Sequence, residues 1–72
     1  MKKEDLIALG FIDRSFDYEG EHFSEYRLTA YEFTIEISGL NHVEFGIEGN
    51  YIHVQKCDTI EDLKTLLKLL GI

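Results

Sequence analysis

Residues 59–72 read TIEDLKTLLKLLGI and carry the most regular apolar pattern of the chain. Leucine and isoleucine recur at three- and four-residue steps, which predicts a single apolar stripe along an α-helix. The stripe consists of Ile60, Leu63, Leu66, Leu67 and Leu70. Thr59 can cap the first turn through its hydroxyl, and Gly71 suits the C-terminal stop. Such a helix needs an apolar surface to bury against, so the preceding residues are expected to form a sheet.

The chain before this helix begins with a second, shorter helix predicted over Lys3–Leu9, which Gly10 ends. A strand over Phe11–Tyr18 follows, and Glu19-Gly20 is a plausible hairpin turn. From Ser24 to Ser38 the residues alternate between apolar and polar, but the apolar positions change from even to odd numbers near Thr29-Ala30. A β-bulge changes parity in this way, so we expect one long bent strand with a bulge there.

The second half of the sheet is predicted from two further turns. Gly39-Leu40-Asn41 is a three-residue loop, with Asn41 able to take the left-handed position, and it pairs Ile37 with Val43, Ile35 with Phe45 and Phe33 with Ile47. Gly49-Asn50 is a two-residue turn between His42–Glu48 and Tyr51–Gln55. It pairs Glu48 with Tyr51, Ile47 with Ile52, Gly46 with His53 and Phe45 with Val54. Both registers keep apolar residues opposite one another.

These elements predict a single α+β domain over residues 1–72. The fold is a short N-terminal helix, an antiparallel meander of about four strands with a bulged long second strand, and a C-terminal helix packed on one sheet face.

The net charge of −7 restricts the function classes. It argues against binding nucleic acid or acidic lipid by charge attraction, and the apolar runs are too short to cross a membrane. Cys57 is the only cysteine, so no internal disulfide forms, and a reducing cytoplasm is expected. Nothing near Met1 resembles a signal peptide.

Acidic residues concentrate on the predicted sheet. Between Asp17 and Glu48 there are eight acids and one base, Arg27. The predicted register places Glu36 opposite Glu44 and Glu32 opposite Glu48 on the outward face, with no Lys or Arg between them. Like charges in such positions are unfavourable, so this face is either a solvated surface or a docking surface for a basic protein partner or for a cation. The predicted partner-binding residues are Glu32, Glu36, Glu44, Glu48, Tyr51 and His53.

Catalytic and metal chemistry find little support in the sequence. An open sheet face would not desolvate a carboxyl group for acid–base work, and there is no phosphate loop, nucleophile motif or cofactor motif. His22, His42, His53 and Cys57 match no zinc spacing. We therefore expect neither an enzyme nor a cofactor or metal site, with Cys57 as a small packing residue.

A second hypothesis is a homodimer or higher oligomer that sequesters a small, nucleotide-like ligand between subunits. An anionic ligand would need basic or amide donors, and Arg14, Arg27, Lys56 and Asn41 are the obvious suppliers. Leu69 and Ile72 either extend the apolar face of the helix into a dimer contact or rest on the rim of the core.

In layout, the chain resembles many short, uncharacterised proteins of phages and mobile elements. The opening LxxLGF of Leu6–Phe11, the central sheet and the closing IHV…TIEDLKTLLKLLGI carry this likeness. The resemblance implies a non-catalytic task, such as blocking a host defence protein or sequestering a signalling molecule. It identifies no site residue.

Overall fold

Both predicted helices are present, and both pack on one face of an antiparallel sheet. The computed structural model describes residues 1–72. The helices are α1 (Lys3–Ala8) and α2 (Ile60–Leu69), and the strands are β1 (Ile12–Asp13), β2 (Phe16–Tyr18), β3 (Glu21–Phe23), β4 (Glu25–Ala30), β5 (Phe33–Ser38), β6 (His42–Ile47) and β7 (Asn50–His53). Five strands form one sheet in the order β1-β4-β5-β6-β7, and β2 pairs with β3. The predicted α+β class is confirmed.

The ends of α2 follow the local signals. The Thr59 hydroxyl accepts the backbone N–H of Asp62 at 3.2 Å. At the other end, Gly71 takes a φ of +81°, and the Ile72 N–H donates to the Leu67 carbonyl at 3.0 Å. This is a Schellman stop. Neither helix has the length and apolar character needed to span a lipid bilayer.

The pair of β1 with β4 and the pair of β2 with β3 form one long two-stranded ribbon. Ile12 pairs with Arg27 and Phe16 with Phe23, so the register runs unbroken to the turn at Glu19-Gly20. The predicted strand Phe11–Tyr18 is nevertheless split into β1 and β2. The reason is Ser15, whose hydroxyl accepts the Glu25 N–H at 3.0 Å. That side-chain bond interrupts the backbone ladder, and the ribbon tip, which we call the arm (residues 16–23), projects beyond the sheet.

The prediction of one long strand over Ser24–Ser38 is wrong. These residues form a hairpin, in which Ala30 pairs with Phe33 across a two-residue turn at Tyr31-Glu32. A two-residue turn changes the parity of inward positions just as a bulge does, so the apolar pattern fits both. Tyr31 takes a φ of +56°, and its hydroxyl donates to the Gly71 carbonyl at 3.1 Å.

The β5–β6 register is confirmed in full. Ile37 faces Val43, Ile35 faces Phe45 and Phe33 faces Ile47. The three-residue loop is also confirmed, but its left-handed residues are Gly39 and Leu40, and not the predicted Asn41.

The β6–β7 register differs from the prediction. Its turn residues are Glu48 and Gly49, with φ values of +52° and +83°, and not Gly49-Asn50. Moving the turn by one residue moves every cross-strand partner by two. Tyr51 therefore lies opposite Gly46, and His53 opposite Glu44. Each side chain keeps its predicted face, because the shift is even.

The core lies between this sheet and the two helices. The buried residues are Leu6, Phe11, Tyr26, Ile35, Ile37, Val43, Cys57, Leu63 and Leu67. Odd-numbered side chains of β5 and β6 thus face the helices as predicted, although Ile47 is 46% exposed. Leu69 lies off the helical stripe and is 81% exposed.

An ion pair ties α1 to the edge of the sheet. Lys3 Nζ lies 3.2 Å from Asp13 Oδ2. Hydrogen bonds from the side chain and backbone of Ser15 lower the pKa of Asp13 to about 2, and the hydrogen bond and positive charge of Lys3 act in the same direction.

This pKa predicts acid sensitivity. Above its ordinary value of 3.8, Asp13 is ionised in both folded and unfolded states, and its contribution to stability is fully present. As pH falls toward about 2, the unfolded chain binds this proton first and the contribution is lost. The stability gap between wild type and Asp13→Asn, measured by urea unfolding, should therefore shrink over this range. A gap that stays constant over this range for Asp13→Asn would contradict the role of Asp13.

The turn at Glu48-Gly49 makes a separate prediction. Asn tolerates left-handed backbone better than Glu, for which that conformation costs roughly 1 kcal/mol. Glu48→Asn should raise the free energy of unfolding by a few tenths of a kcal/mol or more in urea titrations. Glu48→Gln removes the same charge without that backbone preference and should have little effect. Equal results for the two variants would argue against this turn.

Candidate functional site

The sheet face that carries no helix is the candidate site. We call it the outer face, and the register defines its members as Ile12, Glu25, Arg27, Thr29, Thr34, Glu36, Ser38, His42, Glu44, Gly46, Tyr51 and His53. One row of this face crosses all five strands, from Ile12 through Arg27, Glu36 and Glu44 to His53. Four neighbouring positions of that row hold ionisable groups, so charge dominates the centre of the face.

Glu36 and Glu44 are direct cross-strand neighbours, as predicted. No Lys or Arg stands between these two acids, but Arg27 lies on the other side of Glu36. Arg27 Nε donates to Glu36 Oε1 at 2.8 Å, and Arg27 Nη2 contacts the same oxygen. The bond and charge of Glu36 raise the pKa of Arg27. Arg27 Nη2 also lies 3.9 Å from Glu25 Oε1. Glu36 is thus neutralised within the fold, and Glu44 is the central acid without an Arg or Lys partner.

Glu32 and Glu48 stand apart from this row. Both lie in hairpin turns, beyond Phe33–Ile47, the last pair of the β5–β6 ladder. The predicted cross-strand pair of Glu32 and Glu48 is therefore absent from the ladder. The two turns lie at the same end of the sheet, because β4–β5 and β6–β7 reverse direction on the same side.

Two histidines border Glu44. The His42 and His53 rings stack with centroids 4.2 Å apart and planes 15° from parallel. His42 Nε2 lies 3.8 Å from Glu44 Oε1. The predicted partner-binding residues included His53 but not His42, and the predicted β6–β7 register placed His53 opposite Gly46 rather than opposite Glu44.

Tyr51 occupies the space that was predicted for His53. A Cβ built on Gly46 would lie 2.6 Å from Cε1 of the Tyr51 ring. The ring therefore lies directly over the Gly46 backbone. It fits there because glycine has no side chain, and a residue with a Cβ at position 46 would displace it. Tyr51 remains 38% exposed, and its pair with Gly46 lies next to the pair of Glu44 with His53.

The four predicted donors for an anionic ligand divide between two separate recesses. Arg14 and Arg27 line a recess of about 270 Å³ beside β1. Asn41 and Lys56 line another, of about 280 Å³, near the start of α2. Since Arg27 already bonds to Glu36, Arg14 is the guanidinium of the first recess with no side-chain partner in the structure.

The arm carries an aromatic pair that sequence reasoning missed. Phe16 and Phe23 stack with ring centroids 5.3 Å apart, although they are 49% and 41% exposed. The turn at Glu19-Gly20 was the available signal, because it places these residues opposite each other. His22 also lies on the arm, with Nδ1 2.9 Å from Asp17 Oδ1.

The remaining candidates for chemistry are dispersed. No three His, Cys, Asp or Glu side chains converge in a metal-binding geometry. Cys57 is buried in the core, and desolvation, then the charges of Asp62 and Asp58, raise the pKa of its thiol. A thiol held in its protonated form is a weak nucleophile.

Comparison with known proteins found no matching family model, no matching curated protein and no matching solved structure. Function is therefore inferred from the geometry of this chain.

The contact between Tyr51 and Gly46 predicts an energetic coupling. Tyr51→Ala should cost up to about 1 kcal/mol of unfolding free energy, as for other cross-strand pairs. In a Gly46→Ala background the ring is already displaced, so the same substitution should cost less. Urea unfolding of the four proteins measures the coupling, and Tyr18→Ala on the arm serves as an uncoupled control. Equal costs for Tyr51→Ala in both backgrounds would contradict the contact.

Proposed function

We propose that this chain is a small non-catalytic binding protein that docks the basic surface of a partner protein on its outer face. The observation that carries the proposal is Glu44, which has no Arg or Lys partner and lies at the centre of the one sheet face to which no helix is packed. Acid–base catalysis would need a carboxyl group shielded in a cleft, and Glu44 lies on an open sheet surface.

Charge supports a basic partner. The chain carries a net charge of −7, and a field of one sign accelerates encounter with surfaces of the opposite sign. Glu44 is the acid at the centre of the face, while Tyr51 supplies the kind of aromatic contact that is enriched at interfaces. Glu32 and Glu48 extend the negative field to one end of the sheet.

The layout resemblance to short phage and mobile-element proteins favours a host protein as the partner, inhibited by occupation of its basic surface. The single cysteine, Cys57, is buried and unpaired. It fits a reducing compartment, so we place the interaction in the cytoplasm.

Sequestration of a small anionic ligand is the less favoured function. Its four predicted donors lie in two recesses, and the Arg27 guanidinium is engaged by Glu36. A basic protein surface needs no such convergence of donors.

Charge reversal at Glu44 tests the proposal. Wild type, Glu44→Lys and Glu61→Lys are immobilised, and proteins retained from a bacterial lysate are quantified. Glu61 lies on the helix side of the molecule, so its variant matches the change in net charge away from the outer face. The proposal is supported if a basic protein is retained by wild type and by Glu61→Lys but not by Glu44→Lys.

The affinity of that protein, once purified, should fall about tenfold or more with Glu44→Lys. It should also weaken as ionic strength rises, because salt screens attraction between exposed charges. Equal affinities for Glu44→Lys and Glu61→Lys would refute docking on the outer face.

A further inference from the structure

The two edges of the five-stranded sheet differ in how they are protected. At one edge, β1 has only two residues, of which Asp13 is charged, and the charged residue Arg14 follows it. At the other edge, β7 spans Asn50–His53 and every residue of it is exposed. Natural sheets blunt their edges with lysine, proline, bulges or very short strands. Within Asn50–His53 none of these devices is present.

Free backbone groups line the β7 edge. The Val54 N–H donates to the Val43 carbonyl at 2.8 Å. Bonding residues alternate along an antiparallel strand, so Ile52 also bonds to β6, whereas Tyr51 and His53 turn their N–H and C=O groups outward. Two donors and two acceptors are therefore available to another strand.

An uncovered apolar corner adjoins this edge on the helix side of the sheet. Phe45, Ile47 and Ile52 line it, and Ile52 is 65% exposed and Ile47 46% exposed. Glu48 also lines this corner, but the sequence from Gly49 to Cys57 holds no acid, although the chain as a whole carries −7. A second copy that pairs with β7 therefore meets no acid on the strand itself.

We propose that two copies pair β7 with β7, antiparallel, about a two-fold axis at Ile52. In this register Tyr51 of each copy faces His53 of the other, and these are the residues whose backbone groups point outward. The two Ile52 side chains meet on the helix side, flanked by Phe45 of each copy. Four new backbone hydrogen bonds and one apolar row across four strands result. This pairing does not depend on the function proposed for the outer face.

Sedimentation tests the dimer with a matched pair of variants. Ile52 and Ile12 are both edge-strand isoleucines that are 65% exposed. Ile52→Lys would place two like charges at the axis, so its dimer dissociation constant should rise at least about tenfold. Ile12→Lys, at the other edge, should leave the dimer dissociation constant unchanged.

The wild-type dimer should also strengthen with added NaCl, because the two copies repel each other through their net charge. Binding of a basic partner should instead weaken with salt, which separates failure of one proposal from failure of the other.

Cysteine cross-linking tests the register. Two Ile52→Cys chains would have Cα atoms within disulfide range, since directly opposed residues of this kind lie about 4.5 Å apart. Oxidation should produce a disulfide dimer from Ile52→Cys and none from Ile12→Cys. A wild-type chain that sediments as a monomer into the millimolar range would overturn the proposal. A dimer unaffected by Ile52→Lys, or one that fails to cross-link through Ile52→Cys, would overturn it equally.

Discussion

The antiparallel pairing of β5 with β6 beneath α2 is the contact on which the rest of the molecule depends. Ile35, Ile37 and Val43 are fully buried on one side of this pair, and Leu63 of α2 is fully buried against them. Burying a side chain of this kind contributes roughly 1.5–3 kcal/mol. A one-residue slip would send every one of the three strand residues to the opposite face, so the apolar pattern holds the register.

That constraint also creates the outer face. A chain of 72 residues has two helices to cover a five-stranded sheet, and both lie on the same side. The other side meets water, so its side chains are polar or charged wherever a strand is central. Arg27 and Glu36 satisfy each other within this layer. The charge available to a partner is therefore concentrated on Glu44 and on the acids in the turns.

Left-handed backbone marks the places where sequence reasoning went wrong. The turns at Tyr31 and Glu48 both use positive φ at a residue that has a Cβ. At Glu48 the following glycine makes a tight hairpin turn possible, as it does at Glu19, and Gly49-Asn50 was the competing local choice. At Tyr31 no glycine or asparagine is present. Its hydroxyl reaches the Gly71 carbonyl, 40 residues away along the chain, and no local pattern could have revealed that contact.

The sequence by itself determined the two helices, the caps of α2, the inward face of strands β4 to β7 and the meeting of Glu36 with Glu44. These depend on side-chain periodicity and on one short loop, which are local properties. Only the tertiary structure decided that Arg27 lies across from Glu36, that Tyr51 covers Gly46 and that β7 is an unprotected edge. Each of these depends on which residues of neighbouring strands pair with each other. The turns set that pairing, and the sequence of each turn is compatible with more than one turn conformation.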